Sequence, residues 1–439
     1  MSYFSNYENN SKIPYDDIPI NRNERYTRGF SSTGRDVGGG GRSTKKPSTV
    51  ISLLVVVSLI LNVVCIYLLA TRKTRVINQY SLEMSGSSEV STAVKASAYL
   101  SSVSVAAGGT CTNESTFYTA TNTKGSGIIY KVIGNTIYFV TCHHVISGNE
   151  SKVWVMLPTG LKPLAVSVVG YSSYYDLAVL KYVAANAEYT LSGSKPVTVF
   201  DSVYAALGEK VFAVGNSLST GLSITDGVIS QVNELIKVGS NTFWTRALKT
   251  STEINPGNSG GGLYNDSGKL IGLVSAKRHT ATSGSETITV VGTSFAIPST
   301  LLCGVADKLI SGSTKPTYIN LGATFVHDTD MGKNLTPANY DGTRLVEDYT
   351  VKVGSVTAGS IAYGKLHSGD VIESIEFSVY NNNGERVTKR VEMFNKYVFE
   401  DYSFSIIKDS RVRFYLEDGN SPSTTYVDII ASSLGVVSD

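Results

Sequence analysis

Histidine and cysteine are scarce in this sequence, five and four residues among 439. His279, His327 and His367 stand far apart, and no Cys/His spacing matches a zinc site, so no metal is expected. An excess of charge is also missing: a formal net charge of +2 leaves no basic footprint for nucleic acid. Cysteine appears as Cys65 inside an apolar run and then as Cys111, Cys142 and Cys303. The hydrophobic share of 42% suffices for two or three domains with real cores.

Residues 1–48 lack apolar periodicity and are rich in Asn, Tyr, Ser, Arg and Gly, the pattern of a disordered tail. Residues 49–71 are the opposite. Val50 to Ala70 is nearly unbroken Val, Ile and Leu, with Asn62 as its strongly polar member, and predicts a transmembrane helix. It starts too far from Met1, and exits too untidily, for a cleaved signal peptide. Arg42, Lys45 and Lys46 are balanced by Arg72, Lys73 and Arg75 across the span. Arg22, Arg25, Arg28 and Arg35 then tip the count toward a cytoplasmic N-terminus, with the remainder outside the cell membrane. Residues 72–100 read as a stalk and a short lead-in helix. In an extracytoplasmic setting Cys111 and Cys142 have the conditions in which to pair.

The chemistry is concentrated in Glu253-Ile254-Asn255-Pro256-Gly257-Asn258-Ser259-Gly260-Gly261-Gly262. Glycines and proline around a serine suit a tight turn, not an element interior. Such a turn exposes Oγ and lets backbone N–H groups approach an oxygen that becomes negative, here assigned to Gly257 and Ser259. By itself the string also fits a plain Gly/Ser hairpin, and Gly-x-Ser-x-Gly fits the nucleophile elbow of α/β-hydrolases. Chain order separates these, because the partner residues lie upstream. Ile137–Thr141 runs into Cys142-His143-His144-Val145-Ile146, and Tyr174-Tyr175-Asp176 opens the apolar run Leu177–Leu180. Histidine, aspartate and serine in that order fit a chymotrypsin-like double barrel.

These motifs resemble the HtrA/DegP group of chymotrypsin-fold serine proteases. Gly125-Ser126-Gly127-Ile128, Val211-Phe212-Ala213-Val214-Gly215-Asn216 and Ser294-Phe295-Ala296-Ile297-Pro298 look like further landmarks, in the group's order. The resemblance implies a mostly β chain: a trypsin-like double six-stranded β-barrel over residues 101–300, a linker over 301–316, and a PDZ-like α+β domain over 317–439. It implies His144 as base, Asp176 as orienting acid and Ser259 as nucleophile, working without a cofactor on unfolded or misfolded proteins. It also implies a homotrimer, by kinship alone. Glu253 departs from the small residue usual in the group. Buried, it would select a basic side chain; turned to solvent, it leaves an apolar pocket bordered by Ile254, Val274 and Ser275. Ile319-Asn320-Leu321-Gly322-Ala323 stands where PDZ domains hold a peptide carboxylate, and Leu366-His367-Ser368-Gly369-Asp370-Val371-Ile372 resembles a PDZ turn. A chaperone-like or scaffold peptide binder with a latent protease fold is the competing expectation.

Overall fold

The computed structural model describes residues 90–437 apart from 120, 161, 237–244, 278–279, 284–285, 290–292, 314, 328–337, 341–344, 348, 382–383 and 418–424. The expected tail and transmembrane helix, with most of the stalk, lie outside the described residues. No helix among the described residues is long and apolar enough to cross a membrane.

The first barrel forms from β1 (Ser102–Ala107), β2 (Thr123–Ile133), β3 (Thr136–Cys142), β4 (Val153–Met156), β5 (Leu164–Ser172) and β6 (Leu177–Val183). They close in the order β1-β2-β3-β6-β5-β4. Closure removes every free edge, and the inward side chains fill the interior. Val103, Val105, Ile128, Phe139, Val155 and Leu180 are wholly buried there.

The second barrel uses β7 (Lys210–Gly215), β8 (Ser223–Ile236), β9 (Thr245–Thr250), β10 (Gly262–Asn265) and β11 (Leu270–Lys277). A small hairpin of β12 (Thr280–Ser283) and β13 (Glu286–Thr289) intervenes, and β14 (Ser294–Pro298) closes the ring as β10-β11-β14-β9-β8-β7. The protein is thus mostly β with two closed six-stranded barrels. The helix Thr92–Tyr99 precedes the first, its Ser91 side chain accepting from the Val94 amide in an N-cap.

The segment after β14 is more than a tether. Ser299–Ile310 is a helix whose Leu301, Leu302, Val305, Ala306 and Leu309 join the first-barrel core, the spacing of one apolar helix face. Asp307 on it accepts from Tyr130 Oη at 2.9 Å and Lys131 Nζ at 2.6 Å.

Beyond it, β15 (Thr317–Ile319) pairs with the last strand. β17 (Ala338–Tyr340) and β18 (Leu345–Glu347) form a separate two-stranded sheet, and a sheet ordered β16 (Ala323–His327), β19 (Val351–Val356), β20 (Val371–Tyr380), β22 (Arg411–Leu416), β23 (Thr425–Ile430) carries β21 (Arg386–Glu392) on β20. The helix Val398–Ser403 covers it, and Ile319, Leu321, Ile375, Phe377 and Phe414 form its core. This region is bolted to the second barrel. Asp201 accepts from Thr300 at 2.7 Å, from Lys389 and from Tyr402, and Arg246 on β9 meets Asp401 of the helix in a buried ion pair.

The open question of a Cys111–Cys142 disulfide resolves to two free thiols. Cys111 packs with Ala106, Phe117 and Met156, whereas Cys142 ends β3 in the main core with its Sγ 3.3 Å from Val274 O. Two cysteines assigned to one barrel can still occupy separate clusters, and a bridge needs their Cα atoms within about 7 Å.

Candidate active site

The β3–β6 ladder assembles the first half of the site. Its register opposes Thr141 to Ala178 and Cys142 to Leu177, so the residues just past both strand ends meet. His143 N donates to Asp176 O at 3.1 Å, and Asp176 turns with φ of 54°, a left-handed conformation that aspartate adopts more readily than most residues. The turn aims its carboxylate back at the next histidine. His144 donates its backbone N–H to Asp176 Oδ1 at 2.9 Å, and its ring Nδ1 lies 2.8 Å from Oδ2.

An ionised carboxylate only accepts hydrogen bonds, so Nδ1 carries the proton and Nε2 keeps its lone pair. The Asp176 side chain is 4% exposed, that of His144 41%. Burial disfavours the imidazolium, but the hydrogen bond and the charge of Asp176 outweigh it and raise the His144 pKa above its ordinary 6.5.

The second barrel supplies the serine loop between β9 and β10. Gly257 has φ of 99° and Gly260 of 86°, and a Cβ at either would collide with a backbone carbonyl, of Asn216 and of Ser126 respectively. Ser259 Oγ donates to Ser275 O at 3.2 Å, while Ser275 Oγ donates to Asp176 Oδ2 at 2.8 Å. One residue of β11 therefore touches both the serine and the aspartate. Among the described residues, no hydrogen bond joins Ser259 Oγ to the His144 ring, and neither the Gly257 nor the Ser259 amide donates to a protein acceptor.

A trypsin-like peptidase domain matches residues 125–273, a span holding His144, Asp176 and Ser259. Serine protease Do-like HtrA of Lactococcus lactis subsp. cremoris is 35% identical over 267 residues, 58% of this chain and 61% of that protein. The chain is thus similar to a Do-like HtrA serine protease over the part that includes its trypsin-like peptidase match. Serine protease Do-like HtrA of Lactobacillus helveticus is 34% identical over 267 residues, 58% of this chain and 59% of that protein. Serine protease Do-like HtrB of Bacillus subtilis is 37% identical over 189 residues, covering 42% and 38%. The chain thus spans about three-fifths of the length of these two HtrA relatives, 61% and 59%.

The residues expected around a substrate pocket divide differently. Glu253 is exposed, and its backbone carbonyl takes the Thr225 hydroxyl at 2.9 Å. Of the two alternatives for Glu253, the solvent-facing one is found: the loop turns this side chain to water, where no desolvated charge awaits a basic substrate. Ile254 and Val274 are packed within the second-barrel core, and Ser275 is engaged with Asp176. Ser275 is thus a support of the acid. The expectation that Val274 and Ser275 border a pocket says nothing about which way the hydroxyl turns.

Leu321 is buried, Gly322 has φ of 69°, and the Gly322 amide donates to Asn320 Oδ1 at 2.9 Å. Cys142, His144 and Asp176 offer ligand atoms within 4.8 Å of one another. Burial first, and then the Asp176 charge, raise the Cys142 thiol well above its ordinary pKa.

Proposed function

We propose that this protein is a serine endopeptidase hydrolysing peptide bonds in unfolded or misfolded extracytoplasmic proteins. The observation that carries this reading is the buried Asp176 carboxylate holding the His144 ring at 2.8 Å and sharing Ser275 with Ser259. Rotation about the Ser259 Cα–Cβ bond turns Oγ from Ser275 O toward His144, as catalytic hydrogen bonds often tighten only with substrate. Oγ attacks the carbonyl while Nε2 takes its proton, the Gly257 and Ser259 amides receive the oxyanion, and Asp176 stabilises the imidazolium. The imidazolium gives its proton to the leaving amine, and water then hydrolyses the acyl-enzyme. The chemistry calls on no cofactor. A fluorophosphonate probe should label the full-length protein and not Ser259→Ala; an unlabelled wild type under peptide, heat and detergent conditions favours the second reading, a chaperone-like binder. The Ser259 hydroxyl facing Ser275 O is what motivates that alternative.

Because neutral His144 is the base and its pKa is raised, kcat/KM falls as pH drops through a midpoint above 6.5. A pH profile with its acid midpoint at or below 6.5 contradicts this. Since Glu253 is exposed, Glu253→Gln should leave cut sites in casein unchanged and predominantly after aliphatic residues. Fragment sequencing that finds Arg/Lys cleavage, lost in the variant, restores the basic-pocket reading.

Residues 317–439 are read as PDZ-like, binding peptides or the C-termini of proteins by strand addition at β16, which lies at a sheet edge beside the Leu321-Gly322-Ala323 loop. The same reading keeps the domain boundaries expected from the sequence and is completed by an uncleaved membrane helix, a cytoplasmic N-terminus and a homotrimer.

A further inference from the structure

One buried hydroxyl in the first barrel reaches across to the serine loop. Ser126, on β2 and wholly buried, donates Oγ–H to Gly257 O at 2.7 Å, and the same oxygen accepts from Asn216 N at 2.7 Å. Its backbone N–H donates to Ser259 O at 2.8 Å, and its carbonyl accepts from Thr141 Oγ1 at 2.6 Å. Every polar atom of the residue is thus engaged, and all these bonds but the one from Thr141 run to the second barrel.

Gly257 is the weak point of the loop. Without a Cβ and at φ of 99°, it allows the peptide units on either side to swing together. The unit before it carries the Gly257 N–H; turned over, that unit would present Pro256 O to the cleft where a donor is needed. Ser126 restrains both units. It holds Gly257 O directly, and through Asn216 it anchors the turn Ser217–Ser219, whose Leu218 amide donates to Pro256 O at 2.8 Å. Leu218 sits in that turn with φ of 53°, so the turn is held in a conformation a leucine does not favour.

We propose that the Ser126 hydroxyl is a positioning residue that keeps the Gly257 N–H aimed into the oxyanion hole. The inference rests on the endopeptidase reading. Ser126 touches no substrate; removing its hydroxyl frees Gly257 O and Asn216 N together, and the amide loses its fixed direction where charge develops in the transition state.

The test compares the full-length protein with Ser126→Ala on a peptide substrate, a peptide boronic acid whose tetrahedral adduct fills the oxyanion hole, and the cleaved product peptide. Loss of one oxyanion donor costs about 10²–10³ in kcat, so Ser126→Ala should lose roughly 10²-fold in kcat. KM should move less than about threefold, because ground-state binding is untouched. Boronate affinity should fall in parallel with kcat while product affinity holds and the melting temperature falls by a few degrees, since the Asn216 N–H left without its acceptor is buried. Should Ser126→Ala melt below the assay temperature, Ser126→Cys, with nearly the same volume and only a weak donor, is measured the same way.

An active wild type with a folded variant of unchanged kcat overturns the inference alone. Equal weakening of boronate and product also overturns it by assigning Ser126 a purely structural role. A wild type that neither cleaves nor labels removes the endopeptidase reading and this inference with it.

Discussion

Ser259→Ala and His144→Ala should each lower kcat about a millionfold, and the double replacement should lose little more, because nucleophile and base act as one unit. The geometry gives the reason. Without the imidazole, Ser259 Oγ must attack as a neutral hydroxyl with nowhere to send its proton; without Oγ, the Asp176-bound ring has no proton to take. A residual rate, roughly 10³–10⁴ above water, should survive through the Gly257 and Ser259 amides and substrate binding. Single-turnover kinetics on an activated peptide ester check this. Losses that multiply in the double variant would show that the two side chains act independently, and the assignment of a shared proton would fail.

The second large effect is on stability. Arg246 and Asp401, 5% and 2% exposed, are paired across the junction of the second barrel and the C-terminal region. Arg246 also donates to Asn233 Oδ1 at 3.0 Å, while Asp401 Oδ1 has no hydrogen-bond partner among the described residues. Burial pushes the Asp401 carboxyl up to about 6 against the pull of Arg246.

Arg246→Ala should therefore cost about 3–5 kcal/mol at neutral pH, since it strands a buried carboxylate. Losing the cation raises the folded-state pKa of Asp401 further above its unfolded value of 3.8, so protonation relieves the defect and the cost shrinks as pH falls. Urea denaturation of the full-length protein at pH 8 and pH 5 reads both. Replacing the pair together, Arg246→Met with Asp401→Leu, should recover most of the loss. A single variant as stable as wild type at pH 8 would mean the pair is dispensable to the docking of the two regions.

Much of the site's layout could be read from local sequence. The apolar runs Ile137–Thr141 and Leu177–Leu180 are strand material wherever they occur, and they pair as β3 and β6. Once paired, they carry His144 and Asp176 to the same ladder end. Gly257 and Gly260 announce a backbone that side chains could not follow. The linker expected over 301–316 begins within the helix Ser299–Ile310, and its Leu and Val spacing defines an apolar face without naming the first barrel as what covers it.

What the order and kinds of residues determined alone were the strands, the glycine-bounded serine turn and the sequence of histidine, aspartate and serine, because these depend on backbone propensity and short spacing. Tertiary structure decided which way side chains turn and what meets across the barrels. Glu253 faces water, Ser275 supports Asp176, Cys111 and Cys142 lie in separate clusters, and Ser126 holds Gly257 from 131 positions away. Such contacts depend on how two independently closed sheets pack, and hydrogen bonds between distant residues leave no periodic trace in the sequence.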